Sequence, residues 1–269
     1  DQRLGRGSTA VAFLVEREGA EQVLKLALDP RQNDRLRDEA EVLAKLRDRH
    51  VVELLGSVEI GDRQGLLMAR AGDSTLAQRI RKEGRLELEL LERFGEQLLQ
   101  TVDFLEQKGI IHRDIKPENI VVRQSGRGSR LELVLFDFSL SRTPVEEIRA
   151  GTPPYLDPFL GERKPARWDG YAERFAAAMT LHEMATGTLP IWGDGRSNPA
   201  VLECEVTLDA ELFDASVREP LVLFFEKALR RKHTERYDNA EEMLHAWRAI
   251  FSAAEKADEG RRTKALETE

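Results

Sequence analysis

Residues 111–122 have the sequence I-H-R-D-I-K-P-E-N-I-V-V, and the rest of the chain can be placed relative to this stretch. Pro117 lacks an amide hydrogen and has a fixed φ, so a rigid loop is predicted here rather than a helix. Apolar residues on both sides of the loop are expected to be buried and to fix its ends. The loop can therefore direct three polar side chains into a cleft, namely Asp114, Lys116 and Asn119.

The composition is that of a globular chain. It has 269 residues, of which 41% are hydrophobic and 33% are charged, which is enough for a large core divided between two lobes. The formal net charge of −8 argues against a nucleic-acid-binding face, which would have to be basic. Partners are expected to be neutral or basic.

The cysteine content and the length of the apolar runs predict the cellular compartment. Cys204 is the only cysteine, so no intrachain disulfide can form and a reducing compartment is expected. No apolar run approaches the roughly 18 residues of a membrane span, and residues 1–15 do not have the layout of a signal peptide. We therefore expect a cytoplasmic protein with no membrane segment in this fragment. A glycine-containing loop only four residues from the start indicates a piece of a longer protein with further domains.

Residues 4–15, L-G-R-G-S-T-A-V-A-F-L-V, contain two glycines followed by a strand-like run. A dinucleotide-binding turn would need a helix directly after the glycines, so a hairpin is predicted instead. Small residues in such a hairpin let backbone amides approach phosphate oxygens closely.

The next strand, 22–28, places Lys25 between Leu24 and Leu26. A charge in that position can simply point outward from a half-buried strand, or it can face a cleft. Residues 34–47 have helical periodicity, and Glu39 borders their apolar stripe while Glu41 is a competing position.

The remaining elements follow from periodicity and turn residues. Ser74 is predicted as the N-cap of a short helix, and Gly109 ends a longer one. Strands are expected at 51–60, 65–68 and 131–136, a hairpin turn at 124–130, and helices at 86–108, 171–186, 215–230 and 239–251. Trp247 and Phe251 are predicted core residues.

Two further motifs come after the loop. The strand at 131–136 is followed by Asp137-Phe138-Ser139, and residues 151–155 are G-T-P-P-Y. Together with H-R-D-x-K-P-x-x-N, Lys25 and Glu39, they resemble the eukaryotic-type serine/threonine protein kinases, in a form that looks bacterial. The resemblance covers residues 4–251. The stretches at 149–160 and 192–195 also resemble kinases attached to phage-defence systems.

The resemblance implies an α+β, bilobal protein-kinase-like fold with a small antiparallel-sheet N-lobe and a mainly helical C-lobe. It divides the chain into an N-lobe with hinge (1–71), a C-lobe (72–251) and a charged C-terminal extension (252–269). The implied activity is transfer of the ATP γ-phosphate to a serine or threonine hydroxyl of a protein substrate.

The resemblance also implies roles for individual residues. The catalytic residues are Asp114, Lys116, Lys25 and Glu39, and the magnesium ligands are Asn119 and Asp137, with Mn²⁺ as an alternative ion. Thr152 is expected to bond to Asp114 and Lys116, and Glu173 to anchor the loop that contains them. The ATP contacts are Leu4, Gly5, Gly7, Ala12, Val23, Lys25, Met68, Ala69, Ala71 and Val121.

Among the positions that depart from the family pattern are Ala10, Ser139 and Phe159. Ser139 replaces a glycine and is expected to hinder flipping of the Asp-Phe segment, since serine disfavours φ > 0. Phe159 replaces a glutamate that normally pairs with an arginine matching Arg236, so Arg236 is either solvated or paired with another carboxylate. These departures keep a pseudokinase, a nucleotide-binding scaffold without turnover, as the alternative. A small-molecule phosphotransferase is a second alternative, disfavoured by Thr152.

Regulation is predicted from Arg113, because an arginine there usually receives a phosphate from the activation segment. The candidate phosphorylation sites are Thr143 first and Ser141 second. Glu146 and Glu147 could instead pair with Arg113 or Arg142 and substitute for the phosphate.

Overall fold

The computed structural model describes the backbone of residues 2–17, 19–124 and 130–266, and the side chains of these residues up to Ala254. Its first part is a sheet with one helix, and its second part is mainly helical, which is the predicted α+β, bilobal arrangement. The hairpin turn predicted at 124–130 lies, apart from its two end residues, outside the described residues. Within the described ranges, no helix is both long and apolar enough to cross a membrane.

Residues 2–69 form a five-stranded antiparallel sheet in the order β1-β2-β3-β5-β4. The predicted strand at 51–60 begins at Leu54 instead, and the one at 65–68 is extended at both ends. The strands are β1 (Gln2–Arg6), β2 (Ala10–Arg17), β3 (Ala20–Ala27), β4 (Leu54–Ile60) and β5 (Arg63–Ala69).

Helix α1 (Asn33–Leu43) packs on this sheet through its apolar stripe. Leu36 is fully buried in a cluster with Ala10 of β2, Ala27 of β3 and Leu66 of β5. Removal of these apolar groups from water fixes the helix against the sheet. Glu39 is buried one turn after Leu36, so the packing also carries its carboxylate to the interior.

The helical part of the chain is built around the long helix α3, which packs against α4 and α6. Gly95 of α3 lies directly beneath the indole of Trp247, because a Cβ at that position would come within 2.2 Å of the ring. Trp247 and Phe251 are core residues, as predicted. The helices are α2 (Leu76–Glu83), α3 (Leu88–Gln107), α4 (Gly170–Thr186), α5 (Arg218–Ala228) and α6 (Ala240–Leu266), so the predicted extension continues the last helix.

Two small sheets complete the fold: β6 (Ser74–Thr75), β7 (Ile120–Gln124) and β8 (Leu131–Leu135) form one, and β9 (Ile191–Trp192) and β10 (Val206–Thr207) the other. In the first, Ile120 pairs with Leu135, and the amide of Phe136 donates to the Asn119 carbonyl oxygen at 3.0 Å. The loop before β7 and the segment after β8 therefore emerge side by side.

The prediction of Ser74 as a helix cap was wrong by one residue. Thr75 caps α2, since its hydroxyl accepts from the amide of Gln78 while the Gln78 side chain accepts from the amide of Thr75. This reciprocal pair satisfies two amides that a helix start otherwise leaves unbonded. Ser74 belongs to the short strand β6. The lobe boundaries at 71/72 and 251/252 stay predictions.

Candidate functional site

A cleft of about 760 Å³ lies between the five-stranded sheet and the helical part of the chain. Lys25, Glu39, Asp114 and Lys116 line it, and so does Asp137. Asn119 is not among the lining residues. The cleft is also lined by every residue predicted to contact the nucleotide, namely Leu4, Gly5, Gly7, Ala12, Val23, Lys25, Met68, Ala69, Ala71 and Val121.

Lys25 is held at the centre of the sheet, in register with Ala12 on β2 and Leu66 on β5. Its Nζ lies 2.6 and 2.8 Å from the two carboxylate oxygens of Glu39 and 2.7 Å from Oδ1 of Asp137. The structure thus brings Lys25 and Glu39 together as the predicted pair and adds a second carboxylate. Glu41 points elsewhere and pairs with Arg142.

The charges of Lys25 and Asp137 stabilise one another, whereas burial raises the pKa of the Glu39 carboxyl. Burial alone would lower the pKa of Lys25, but the carboxylates of Glu39 and Asp137 outweigh burial and raise that pKa. Burial alone would raise the pKa of Asp137, but the ammonium group of Lys25 outweighs it and holds that pKa well below its usual range. Lys25 is therefore positive and Asp137 negative at neutral pH.

Asp114 lies at the centre of a second polar cluster in the loop between α3 and β7. The hydroxyl of Thr152 donates to Asp114 Oδ1 at 2.6 Å, and Lys116 Nζ lies 2.8 Å from Oδ2. Lys116 also donates to the hydroxyl of Thr152. The predicted contacts of Thr152 with the acid and the lysine are both present.

Asn119 supports Asp114 from within the loop. Its Nδ2 donates to Asp114 Oδ2 and to the backbone carbonyl oxygen of Asp114, both at 2.8 Å. Because the amide nitrogen is used in this way, the Oδ1 of Asn119 is left without a hydrogen-bond partner among the described residues. That oxygen is free to accept a donor or to coordinate a cation.

The backbone of the loop is held by Glu173 on α4, as predicted. Its carboxylate accepts from the amide of His112 at 2.6 Å and from the amide of Arg113 at 3.0 Å. Arg113 has φ 71°, in the left-handed region, and the two hydrogen bonds help to hold that conformation. Burial raises the pKa of the Glu173 carboxyl to about 7, although both amides oppose the shift.

His112 lies beneath Asp114 and has a structural role. Its Nε2 lies 2.9 Å from the Phe136 carbonyl oxygen, which requires a proton on Nε2, so Nδ1 accepts from the amide of Asp114 at 3.2 Å. Burial lowers the pKa of His112, in agreement with a neutral ring. The ring also contacts Phe138 edge-on, with 4.5 Å between centroids.

Ser139 does not need a positive φ in this conformation, and its predicted hindrance to flipping of the Asp-Phe segment stays a prediction. Asp137, with φ 67°, is the residue of this segment in the left-handed region, and Ser139 is not at positive φ. The hydroxyl of Ser139 helps to lower the pKa of the Asp137 carboxyl. Phe138 is buried and its amide donates to Glu39 at 3.1 Å, so the segment is attached to α1. The serine is therefore compatible with this conformation.

Arg236 is paired with another carboxylate, which is the second of the two predicted alternatives. Asp157 accepts from it in a buried, bidentate contact and also accepts from Arg163. No sequence pattern pointed to Arg163, because its role depends on the path of the chain after Asp157. Asp157 thus replaces the glutamate whose usual position is occupied by Phe159.

The residues present fit a nucleotide with a divalent cation. Among the described residues, no group of three or more His, Cys, Asp and Glu side chains could hold a metal ion alone. Asp137 and Asn119 offer two oxygens, one of them ionised, and Mg²⁺ usually takes one or two carboxylates and completes its shell with phosphate and water.

Comparison with known proteins supports the same interpretation. The family model described as "Protein kinase domain" matches residues 1–248. A probable kinase, PglW, of Streptomyces coelicolor is 40% identical, over 98% of this chain and 19% of the relative. Two other relatives are more distant. A serine/threonine-protein kinase, ATG1a, of Arabidopsis thaliana is 27% identical, over 78% of this chain and 34% of the relative.

A probable serine/threonine-protein kinase of Clostridium acetobutylicum is 25% identical, over 91% of this chain and 38% of the relative. The chain therefore spans between about a fifth and about two fifths of these three relatives.

Proposed function

The chain belongs to the protein kinase domain family, and from this premise we propose that it is an active serine/threonine kinase that transfers the ATP γ-phosphate to a protein hydroxyl. The observation that supports turnover best is the cluster around Asp114. Its carboxylate is in the cleft and bonded to Lys116, Asn119 and Thr152. A general base must lie within hydrogen-bond reach of the proton it receives, and Asp114 already bonds to one hydroxyl of this kind.

Asp114 would orient the substrate hydroxyl and accept its proton as the bond to phosphorus forms. Lys116, 2.8 Å from Asp114, would place a positive charge beside the transferred group. This reaction is accelerated mainly by positioning and by electrostatic stabilisation of charge on the equatorial oxygens, so a fixed ammonium group close to the base is the group required.

Lys25 would bind the α- and β-phosphates, and Glu39 would hold its ammonium group in place. The adenine would lie near Met68, with backbone groups of Ala69 and Ala71 as its hydrogen-bond partners. Leu4, Gly5, Gly7, Ala12, Val23 and Val121 line the same cleft and would enclose the nucleotide.

Asp137 and Asn119 would hold Mg²⁺, or Mn²⁺ in its place. When bound, the cation would supply positive charge that neutralises negative charge developing on the phosphates. Asp137 contributes an ionised oxygen, because Lys25 lowers its pKa, and Asn119 contributes the Oδ1 that has no protein partner in the described part of the chain.

The serine/threonine preference is supported by Lys116, two residues after the aspartate, and by the names of the relatives. Thr152 between Asp114 and Lys116 supports a protein substrate rather than a small molecule. The pseudokinase alternative depends on Ala10, Ser139 and Phe159. Asp137 nevertheless forms its ion pair with Lys25 although Ser139 lies beside it. Asp157 pairs with Arg236 in place of the usual glutamate.

We place the N-lobe at 1–71, the C-lobe at 72–251 and the extension at 252–269. The lining of the cleft by Ala69 and Ala71, next to the first boundary, supports that division. We also propose action in the cytoplasm, because the single Cys204 is unpaired. The protein substrate is proposed to be neutral or basic, since the chain has a net charge of −8.

The test is incubation of the purified chain with γ-labelled ATP, Mg²⁺ and a panel of basic and neutral proteins, followed by mapping of the labelled residues. Label on serine or threonine is expected, and its transfer should be lost in Asp114→Asn. ATP binding without transfer in the correctly folded wild type would instead establish the pseudokinase. Transfer to a small molecule but not to protein would contradict the proposed substrate class.

A further inference from the structure

The side chain of Arg113, which precedes Asp114, already makes contacts within the protein. Its side chain is 2% exposed, Nη1 donates to the Pro144 carbonyl oxygen at 3.1 Å, and Cζ lies 5.6 Å from the centre of the Trp168 ring. The negative face of an indole attracts a cation in this position. Nε has no protein partner in the described structure, but it is closed off from solvent. A phosphate could therefore reach Arg113 only by displacing Trp168 or Pro144, which the sequence did not predict.

Trp168 also holds the activation segment, defined here as residues 138–151. Its amide donates to the Val145 carbonyl oxygen at 2.8 Å. Its ring, 2% exposed, forms an apolar cluster with Leu160 and Ala172. Val145 and Ile148 of the activation segment pack against this cluster, together with Ile111 and Leu156. One indole thus contacts both the loop of Asp114, through Arg113, and the activation segment.

Arg142 attaches the other half of the segment to α1. Its Nη1 lies 3.1 Å from Asp38 and 2.5 Å from Glu41, the residues on either side of the Glu39–Ala40 pair. The amide of Phe138 donates to Glu39 itself. The segment and the helix that presents Glu39 to Lys25 are therefore joined at two points by charge and hydrogen bonds.

Glu146 and Glu147, which were predicted to substitute for a phosphate, do not make the expected contacts. Within the described part of the chain, the carboxylates of Glu146 and Glu147 make no ion pair with Arg113 or Arg142, although their charges act on Arg113 from a distance. The hydroxyl of Ser141 is closed off from solvent and has no hydrogen-bond partner in the described structure. It is therefore not presented to another kinase.

We propose that Trp168 and Arg142 are positioning residues that hold the activation segment in place, so that catalysis does not require phosphorylation of that segment. Trp168 acts through Arg113 on the Asp114 loop, and Arg142 acts through Asp38 and Glu41 on the helix of Glu39. The inference rests on the proposed kinase function, and the experiment below separates the two.

The experiment uses the full chain produced together with a phosphatase, with the absence of phosphate verified by mass spectrometry. Hydrogen exchange is followed at the amides of Thr143, Glu147 and Ala150, which donate within the segment. We expect slow exchange at these amides. We also expect the kcat of this protein to lie within about two-fold of the kcat of protein produced without phosphatase. Fast exchange, or a kcat at least ten-fold lower, would overturn the proposal.

Trp168→Leu keeps an apolar side chain but removes the ring beneath Arg113. We expect kcat to fall at least ten-fold and KM for ATP to stay within about two-fold, with faster exchange confined to the activation segment and its contacts. Trp168→Phe retains an aromatic face and should restore most of kcat. Trp192→Leu is the matched control, because it removes another buried indole, in contact with Phe159 and Phe175, and should leave exchange in the segment unchanged.

Arg142 is partly exposed, so its replacement should not prevent folding. Arg142→Glu should lower kcat by about two- to five-fold, the range expected for an exposed ion pair. Adding Glu41→Arg should restore it by recreating the pair with reversed charges, which a general structural defect would not do. A kcat unchanged in both Trp168→Leu and Arg142→Glu would refute the positioning roles.

The two hypotheses fail differently. If the unphosphorylated wild type shows slow hydrogen exchange in the activation segment but transfers no phosphate, the kinase function is refuted. The same result would support the inference that the activation segment is held in place without phosphorylation. Fast exchange in an unphosphorylated wild type that is active would refute the present inference and leave the kinase function intact.

Discussion

Arg236 and Asp157 form a buried, bidentate ion pair across 79 positions of sequence, with Nη1 2.6 Å from Oδ2 and Nη2 3.2 Å from Oδ1. Arg163 donates to the same carboxylate, and Nε of Arg236 donates to the Arg230 carbonyl oxygen at 2.6 Å. Asp157 therefore compensates the charge of Arg236 and shares that of Arg163 with Asp169. The ion pair connects the segment after the G-T-P-P-Y loop to the residues that directly precede α6.

Removal of the Asp157 charge should destabilise the protein strongly. Asp157→Asn leaves Arg236 without a counter-charge in the interior and leaves Arg163 with Asp169 alone. Breaking a buried pair in this way typically costs about 3–5 kcal/mol of unfolding free energy. Urea denaturation followed by circular dichroism measures the loss. Asp34→Asn, which breaks the exposed pair with Arg37, is the control and should cost no more than about 1 kcal/mol. Equal effects of the two substitutions would contradict the account of Asp157.

The two acidic candidates on α1 should differ sharply in their effect on catalysis. Glu39→Gln removes the charge that holds Lys25, so kcat/KM for ATP should fall at least 100-fold, or by about 2.7 kcal/mol of transition-state stabilisation. Glu41→Gln affects only the pair with Arg142 and should lower kcat no more than about five-fold. Steady-state kinetics on both variants decides the assignment, and a larger loss in Glu41→Gln would reverse it.

Asp114 and Asp137 should be separable by nucleotide binding. Asp137→Asn should abolish phosphotransfer and make ATP binding insensitive to Mg²⁺, because the ionised ligand is lost. Asp114→Asn should abolish transfer but keep Mg²⁺-dependent binding. Calorimetric titration with ATP, with and without Mg²⁺, distinguishes the two, and thermal denaturation verifies that each variant is folded. Mg²⁺-dependent binding that survives in Asp137→Asn would remove this residue from the proposed metal site.

Glu173 should make stability depend on pH. Burial raises its pKa from 4.5 to about 7 in the folded protein, so the folded state retains a proton that the unfolded state has already released. The stabilising contribution is complete below pH 4.5, falls as the pH rises towards 7, and is lost above it. Its full size corresponds to about 3 kcal/mol.

Glu173→Gln should lack this dependence, since the amide can still accept from His112 and Arg113. Unfolding free energies of the wild type and of this variant, measured from pH 4.5 to 7.5, should therefore diverge in favour of the variant. Glu59→Gln alters an exposed carboxylate and should run parallel to the wild type. Parallel curves for Glu173→Gln and the wild type would show that Glu173 has an ordinary pKa.

Sequence patterns were sufficient to predict the parts of the site whose residues lie close together along the chain. Asp114, Lys116 and Asn119 lie within six residues of one loop, so local spacing was sufficient to predict their grouping, whereas Asp137 was added to the site by the resemblance to the kinase family. Lys25 and Glu39 required one further step, the resemblance to the kinase family, which assigned Glu39 to the pair and left Glu41 outside.

Contacts between segments that are distant along the chain could not be predicted in this way. Nothing in the sequence around Arg236 indicates that Asp157 will face it, or that Trp168 will cover Arg113 and make that arginine inaccessible to a phosphate. A buried charge requires a partner, but sequence spacing does not say which of several carboxylates, carbonyls or rings will come within reach. That choice depends on the path of the backbone through the packed core, where each neighbour is fixed by the shape of all the others.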